Sequence, residues 1–132
     1  MHSVAEIFES LSDEQSVKLF NTIASERVNS VEMRTKVPLT RKQYYSRLSR
    51  MIRVGLIKRR SGKLFLTAFG KIVYESQKLI EAANNAQWKF KVLDSVDVSE
   101  ELPKEEREKL LDNLIENSHI KEILAKNNTK NN

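Results

Sequence analysis

Between Thr40 and Tyr74 the apolar pattern changes period twice, and that double switch leaves few folds open. Tyr44, Leu48, Met51 and Ile52 recur at i, i+4, i+7 and i+8, which predicts a helix capped by Thr40 and running to about Val54. Gly55 stands where a helix ends on a left-handed residue. Leu56 to Arg60 and Lys63 to Thr67 then read as short β-runs, separated by the hairpin-turn pair Ser61-Gly62. Leu64 and Leu66 fall on one face and Phe65 on the other, so one of them must sit partly exposed. Helical period resumes at Thr67. The chain must therefore pass from helix to tight hairpin to helix within a short span.

The flanking segments are helical in pattern. Residues 4–11 and 13–25 read as two helices, the second with Val17, Phe20, Ile23 and Ala24 on one face. Ser12-Asp13-Glu14-Gln15 supplies its N-cap and a Gln at the third helical position. Ser30 is placed to cap a short helix from Val31 to Val37, stopped by Pro38. After the hairpin, Phe69, Ile72, Ser76, Leu79, Ala83, Ala86, Phe90 and Leu93 repeat every three or four residues, widened by Val73 and Ile80. The first turns, Phe69 to Val73, are expected to pack on their own domain. Asp94 to Ser99 reads as a linker, and Pro103 opens a final helix through Leu110, Leu111, Leu114, Ile115, Ile120, Ile123 and Leu124. Glu100-Glu101 and Glu105-Glu106 suit the positive end of that helix. Residues 127–132 are polar and expected to be disordered.

Charge is divided along the chain. Met33 to Tyr74 carries twelve Lys and Arg residues and no acid, leaving eleven bases against all 18 acids elsewhere. Uncompensated like charge opposes compaction, so a window of this kind points to a polyanion. The chain has no Cys, which excludes disulfides, thiolate metal sites and cysteine catalysis. No glycine-rich phosphate loop, nucleophile motif or metal-ligand cluster is present, so neither an enzyme nor a cofactor is expected. There is no signal-peptide pattern and no apolar run of the roughly 18 residues needed to span a bilayer. The expectation is a soluble cytoplasmic, nucleoid-associated protein with no membrane partner.

The order helix, helix, turn, helix, β-hairpin, long helix is that of a winged helix-turn-helix: mostly α, with a small β-hairpin wing and long C-terminal helices. The strings PLTRKQYYSRLSRMIRVGLIKRR and KLFLTAFGKIVY resemble the winged helix-turn-helix regulators of the ArsR/MarR-like kind, archaeal ones especially. In that resemblance the first string corresponds to the recognition helix entering the wing. Leu66-Thr67-Ala68-Phe69-Gly70 corresponds to the junction where the wing's return strand turns into the dimerisation helix. Metal sensing is not implied, since the chain has no Cys and only His2 and His119.

On this reading residues 1–75 form the DNA-binding domain and 76–126 a helical dimerisation extension. Arg41, Lys42, Gln43, Tyr45, Ser46, Arg47 and Arg50 fall on the outer face of the recognition helix, with Tyr44 in the core. Gln43 suits adenine and Arg41 or Arg47 guanine, each bidentate pair discriminating by about 1–3 kcal/mol. Thr40 and the free N–H groups around it suit a phosphate, and Tyr45 a phosphate or sugar. Lys58, Arg59, Arg60 and Lys63 flank the wing tip, in reach of the backbone or a minor groove. The partners are then double-stranded DNA and a second copy of the chain, joined through Ile72, Ser76, Leu79, Ile80, Ala83, Ala86, Phe90 and Leu93. Half-sites would lie roughly 34 Å apart. A small-molecule effector is left open; Trp88, off the seam, suits the dimer rim or a small effector pocket.

The competing reading within the same class is an architectural or RNA-binding protein with little sequence readout. From another class comes a protein–protein adaptor, which the acid-free window fits poorly.

Overall fold

The computed structural model describes residues 1–26, 28–99 and 102–130, with the side chains of all but 28, 97–99 and 127–130. They form two compact units, Met1–Ser76 and Gln77–Asn132.

The first unit begins with α1 (Val4–Ser10) and α2 (Glu14–Ser25). The α2 cap is Asp13, one residue after the Ser12 that the pattern suggested; its carboxylate accepts from Ser16 N–H at 2.9 Å and Ser16 hydroxyl at 2.8 Å. A carboxylate takes two donors at once, where a serine hydroxyl offers a weaker acceptor. β1 (Val28–Asn29) follows, then α3 (Ser30–Lys36). Asn29, not Ser30, caps α3, accepting from Val31 and Glu32 N–H, while Ser30 is buried behind it.

α4 (Arg41–Arg53) starts from a capping box: Thr40 Oγ1 accepts from Gln43 N–H at 3.2 Å and Gln43 Oε1 accepts from Thr40 N–H at 3.0 Å. It ends at Gly55, φ +84°, where Leu56 N–H donates to Met51 O and Gly55 N–H to Ile52 O. Leu56 and Met51 are both fully buried at this turn.

β2 (Ile57–Arg60) and β3 (Lys63–Leu66) pair antiparallel, and β1 adds to the other side of β3, giving the order β1-β3-β2. Ser61 (φ +51°) and Gly62 (φ +76°) both take the left-handed conformation, as a two-residue type I′ turn requires. Leu64 is fully buried, while Phe65 and Leu66 are half-buried.

α5 (Ala68–Asn85) then begins against the end of α4. Thr67 hydroxyl sits within hydrogen-bonding distance of Gly55 O, and Gly70 N–H donates to Thr67 Oγ1 at 2.9 Å. A Cβ on Gly70 would lie 2.0 Å from Leu56 O, so only glycine allows this approach. The core of the unit is Leu19, Phe20, Ile23, Met33, Tyr44, Leu48, Met51, Val54, Leu56, Ile57 and Leu64. Val73 and Tyr74 pack on it, Tyr74 meeting Phe20 edge to face at 6.2 Å, whereas Phe69 is exposed. The α5 side of this contact is therefore Val73-Tyr74, not Phe69.

The second unit corrects three expectations. No single helix runs from Thr67 to Leu93: α5 ends at Asn85, a turn centres on Ala86, and α6 (Gln87–Ser99) starts afresh. Asn84-Asn85 are weak helix formers, and Gln87 Nε2 donates to Asn84 Oδ1 across the break. Residues 94–99 are helical, not a linker. The single C-terminal helix is two, α7 (Lys104–Leu114) and α8 (Ser118–Lys130), with Asn117 Oδ1 accepting from His119 and Ile120 N–H. The α8 span runs to Lys130; residues 131 and 132, at the end of the tail expected to be disordered, lie outside the described residues, as do Glu100 and Glu101. Glu105 and Glu106 stand in the first turn of α7.

Leu111, Ile115 and Ile120 form the buried core of this unit, with Leu79, Ala83, Phe90 and Leu93 packed against them. Half of the seam assigned to a second copy is thus covered within the chain. The spacing showed an apolar face, and apolar faces do not specify which partner buries them.

Candidate nucleic-acid interface

α3 and α4 are the two helices of the helix-turn-helix, and β2–β3 is the wing. The burial of Tyr44 and Leu48 turns the opposite face of α4 outward, so Arg41, Lys42, Gln43, Ser46 and Arg50 are exposed. Lys58, Arg59, Arg60 and Lys63 are exposed along the wing. Among the described residues no carboxylate pairs with Lys42, Arg50, Lys58, Arg59, Arg60 or Lys63. Arg60 and Lys63 are register partners across the tip of the hairpin. Like charges placed directly opposite destabilise a hairpin. The free protein carries that cost, and an anion at the wing tip would remove it.

Four expected readers of DNA are engaged within the protein. Arg47 Nε donates to Asp13 Oδ1 at 3.2 Å, and its Nη1 donates to Gln43 O at 3.2 Å. Its side chain is 23% exposed. Burial raises the Asp13 carboxyl, but the Ser16 and Arg47 bonds outweigh it and hold the carboxyl below the usual aspartate range. Gln43 spends its carbonyl oxygen on Thr40 N–H, so a bidentate grip on adenine would have to open the capping box. Thr40 hydroxyl and N–H and Gln43 N–H are occupied by the same box, leaving Arg41 and Lys42 N–H as the first-turn groups outside it. Tyr45 is half-buried, 5.0 Å edge to face from Tyr44, with the Arg41 guanidinium 5.8 Å from its ring centre. The Arg41–Tyr45 stack fixes where the Arg41 charge sits.

One residue was missed by the reading of α4 and the wing alone. Tyr44 hydroxyl donates to Ser30 O at 2.8 Å. Burial pushes its phenol up, while the Ser30 bond and the nearby Arg59 and Arg34 charges pull it down. Arg34 of α3 and Arg59 of the wing thus both act on the Tyr44 hydroxyl. The Arg34 Nε is shielded from solvent and makes no hydrogen bond. The signal was available: Arg34 is the first base of the acid-free window.

The eight seam positions are divided. Ile72, Ser76 and Ile80 are exposed on α5, Ser76 hydroxyl bonding Ile72 O. Ala86 is half-buried, and Leu79, Ala83, Phe90 and Leu93 pack on the core of the second unit. Trp88 is 61% exposed, with Lys89 Nζ 5.6 Å from its ring centre. Among the described residues no group of His, Asp and Glu side chains suits a metal ion, and no helix is long and apolar enough to cross a membrane.

No protein-family model matches the chain, and no curated protein sequence matches it. Solved structures that share its fold include two transcription proteins. The activation domain of the phage T4 transcription factor MotA matches with a TM-score of 0.52 at 21% identity, over 64% of this chain and 94% of that one. An ArsR-like transcriptional regulator from Rhodococcus sp. RHA1 matches with a TM-score of 0.50 at 17% identity, over 76% of this chain and 93% of that one. At these identities the likeness is one of architecture: the chain carries a winged helix-turn-helix.

Proposed function

We propose that this protein is a DNA-binding transcriptional regulator of the ArsR/MarR-like, archaeal type, acting in the cytoplasm as a homodimer and not as an enzyme. α4 would enter the major groove, and the wing would lie on the backbone or in the adjacent minor groove. One observation carries the reading. The acid-free window folds into a helix and its neighbouring hairpin, and six of its exposed cations have no carboxylate partner among the described residues. Lys42, Ser46, Arg50, Lys58, Arg59, Arg60 and Lys63 are the contacts, with Arg41 held on Tyr45 and Arg34 added from α3. The exposed stripe Ile72, Ser76 and Ile80 on α5 is the surface left for a second copy. Both neighbours in fold are named for transcription, which agrees with this reading.

A specific observation favours a second version, with little base readout. Gln43 and Arg47, two of the three side chains matched to base edges, are tied to Thr40 and Asp13. Selection of bound fragments from random duplex pools at two salt concentrations separates the versions. Enrichment of a roughly palindromic motif supports specific, two-fold recognition. Strong retention without a motif supports the backbone-reading version, and no retention at low salt removes DNA from the account.

A further inference from the structure

We propose that Ser61, at the tip of the wing, is a phosphorylation site, and that a phosphoryl group there takes the wing off duplex DNA. The effect on DNA rests on the reading of the wing given above; the modification itself does not.

Serine is a poor choice for this position. Ser61 has a φ of +51°, and among the described residues no other non-glycine residue has a positive φ. A type I′ turn favours Asn, Asp or Gly there, because other L-residues meet a steric cost in the left-handed region. The hydroxyl recovers none of that cost: it is exposed and makes no hydrogen bond among the described residues. The turn thus keeps a free hydroxyl where other residues would fold better.

The surroundings indicate what that hydroxyl meets. Lys58-Arg59-Arg60 precedes it, and no other Ser or Thr of the chain follows three consecutive bases. Kinases select substrates by charge patterns of this kind. Ser46 and Ser49 are also exposed in the cationic window, but α4 holds their backbone in a helix. The wing tip opens more easily, since its last rung sets Arg60 against Lys63. It is tied to α3 through Gly62 O, which accepts from Ser30 N–H at 3.0 Å, and not through Ser61.

In the reaction Ser61 Oγ bonds the γ-phosphorus of magnesium-bound ATP as the bond to the β–γ bridging oxygen breaks. ADP leaves, and the hydroxyl proton passes to a carboxylate of an arginine-directed kinase. The product carries about −1.5 to −2 charge at neutral pH. It adjoins Arg60 and stands one residue from Lys63, so both cations gain an anionic partner. The two consequences have opposite signs. The free hairpin loses its repulsion and gains stability, while the wing loses its attraction for phosphates.

The test incubates the full chain with magnesium-ATP and the catalytic subunit of cyclic-AMP-dependent kinase, then locates the phosphoryl group by mass spectrometry. It should lie on Ser61. Ser61→Asn keeps a favoured turn residue; it should abolish incorporation there and bind duplex as the wild type does. The modified chain should unfold about 2 °C higher than the unmodified one. Its affinity for random duplex should fall by roughly tenfold or more, with a salt slope lower by about two. The unfolding shift is read without DNA. An unmodified chain that duplex does not retain would therefore remove the DNA reading, while a stabilised, modified Ser61 would still support the site. Three results overturn the proposal: no incorporation under conditions that modify a peptide of residues 55–65, incorporation unaffected by Ser61→Asn, or a modified chain with unchanged stability and unchanged retention.

Discussion

The Asp13 carboxylate at the start of α2 and the Arg47 guanidinium on α4 are joined by a 3.2 Å bond between residues 34 positions apart. The bond makes a strut between two helices of a side chain that the sequence pattern had assigned to reading a base. Asp13 also caps α2 through Ser16, so one carboxylate fixes the start of one helix and the azimuth of another.

Asp13→Asn isolates the strut, because asparagine is an equally good cap but carries no charge. A double-mutant cycle with Arg47→Ala should show a coupling of about 0.2–1 kcal/mol, as partly exposed pairs do. The folded-state pKa of Asp13 is depressed, so its contribution is present above the unfolded aspartate range and lost as pH falls through the folded pKa. Asp13→Asn should therefore flatten the acid limb of the stability curve below about pH 4. An unchanged acid limb would mean that the bond contributes nothing in solution.

Arg60 and Lys63 face each other at the wing tip. Replacing both with alanine should raise the stability of the free protein by a few tenths of a kcal/mol, roughly. The same double substitution should lower the slope of log affinity against log salt by about two, one for each phosphate left without its cation. A slope that does not move takes the wing off the DNA.

Gly70 touches the α4–β2 turn. Gly70→Ala drives a methyl into Leu56 O and should destabilise the first unit by about 1–3 kcal/mol, read by urea unfolding. Wild-type stability in this variant would show that the turn can move aside.

The α5 stripe is tested by charge. Ile72→Glu with Ile80→Glu leaves both buried cores intact, since each side chain is about two-thirds exposed (65% and 64%). If this stripe joins two copies as proposed, the doubly substituted chain should run as a monomer by light scattering while the parent runs as a dimer, with thermal stability otherwise retained. A dimer that survives both charges uses another surface.

Much of the first unit was legible in local pattern. The α4 stripe, the Gly55 stop and the Ser61-Gly62 turn each depend on a few neighbouring residues, and each appears where the sequence puts it. Caps moved by one residue at Asp13 and Asn29, because two adjacent polar residues can both cap and the choice belongs to packing. β1 was invisible: two residues carry no period, and only Leu64 and Lys63 across the ladder make them a strand. The candidate site was half legible. Exposure of the basic residues followed from the apolar stripe, but the bonds holding Arg47, Gln43 and Tyr45 did not.

The sequence by itself determined the stripe and stop of α4, the hairpin turn and the purely cationic stretch, because propensity, turn chemistry and charge are read within a turn or two of chain. Only the tertiary structure decided what each face meets. Arg47 met Asp13 instead of solvent, and Leu79, Ala83, Phe90 and Leu93 were covered by the core of Leu111, Ile115 and Ile120. Burial of apolar area is non-directional, so any face of suitable shape satisfies it, and the partner is chosen only when the whole chain has packed.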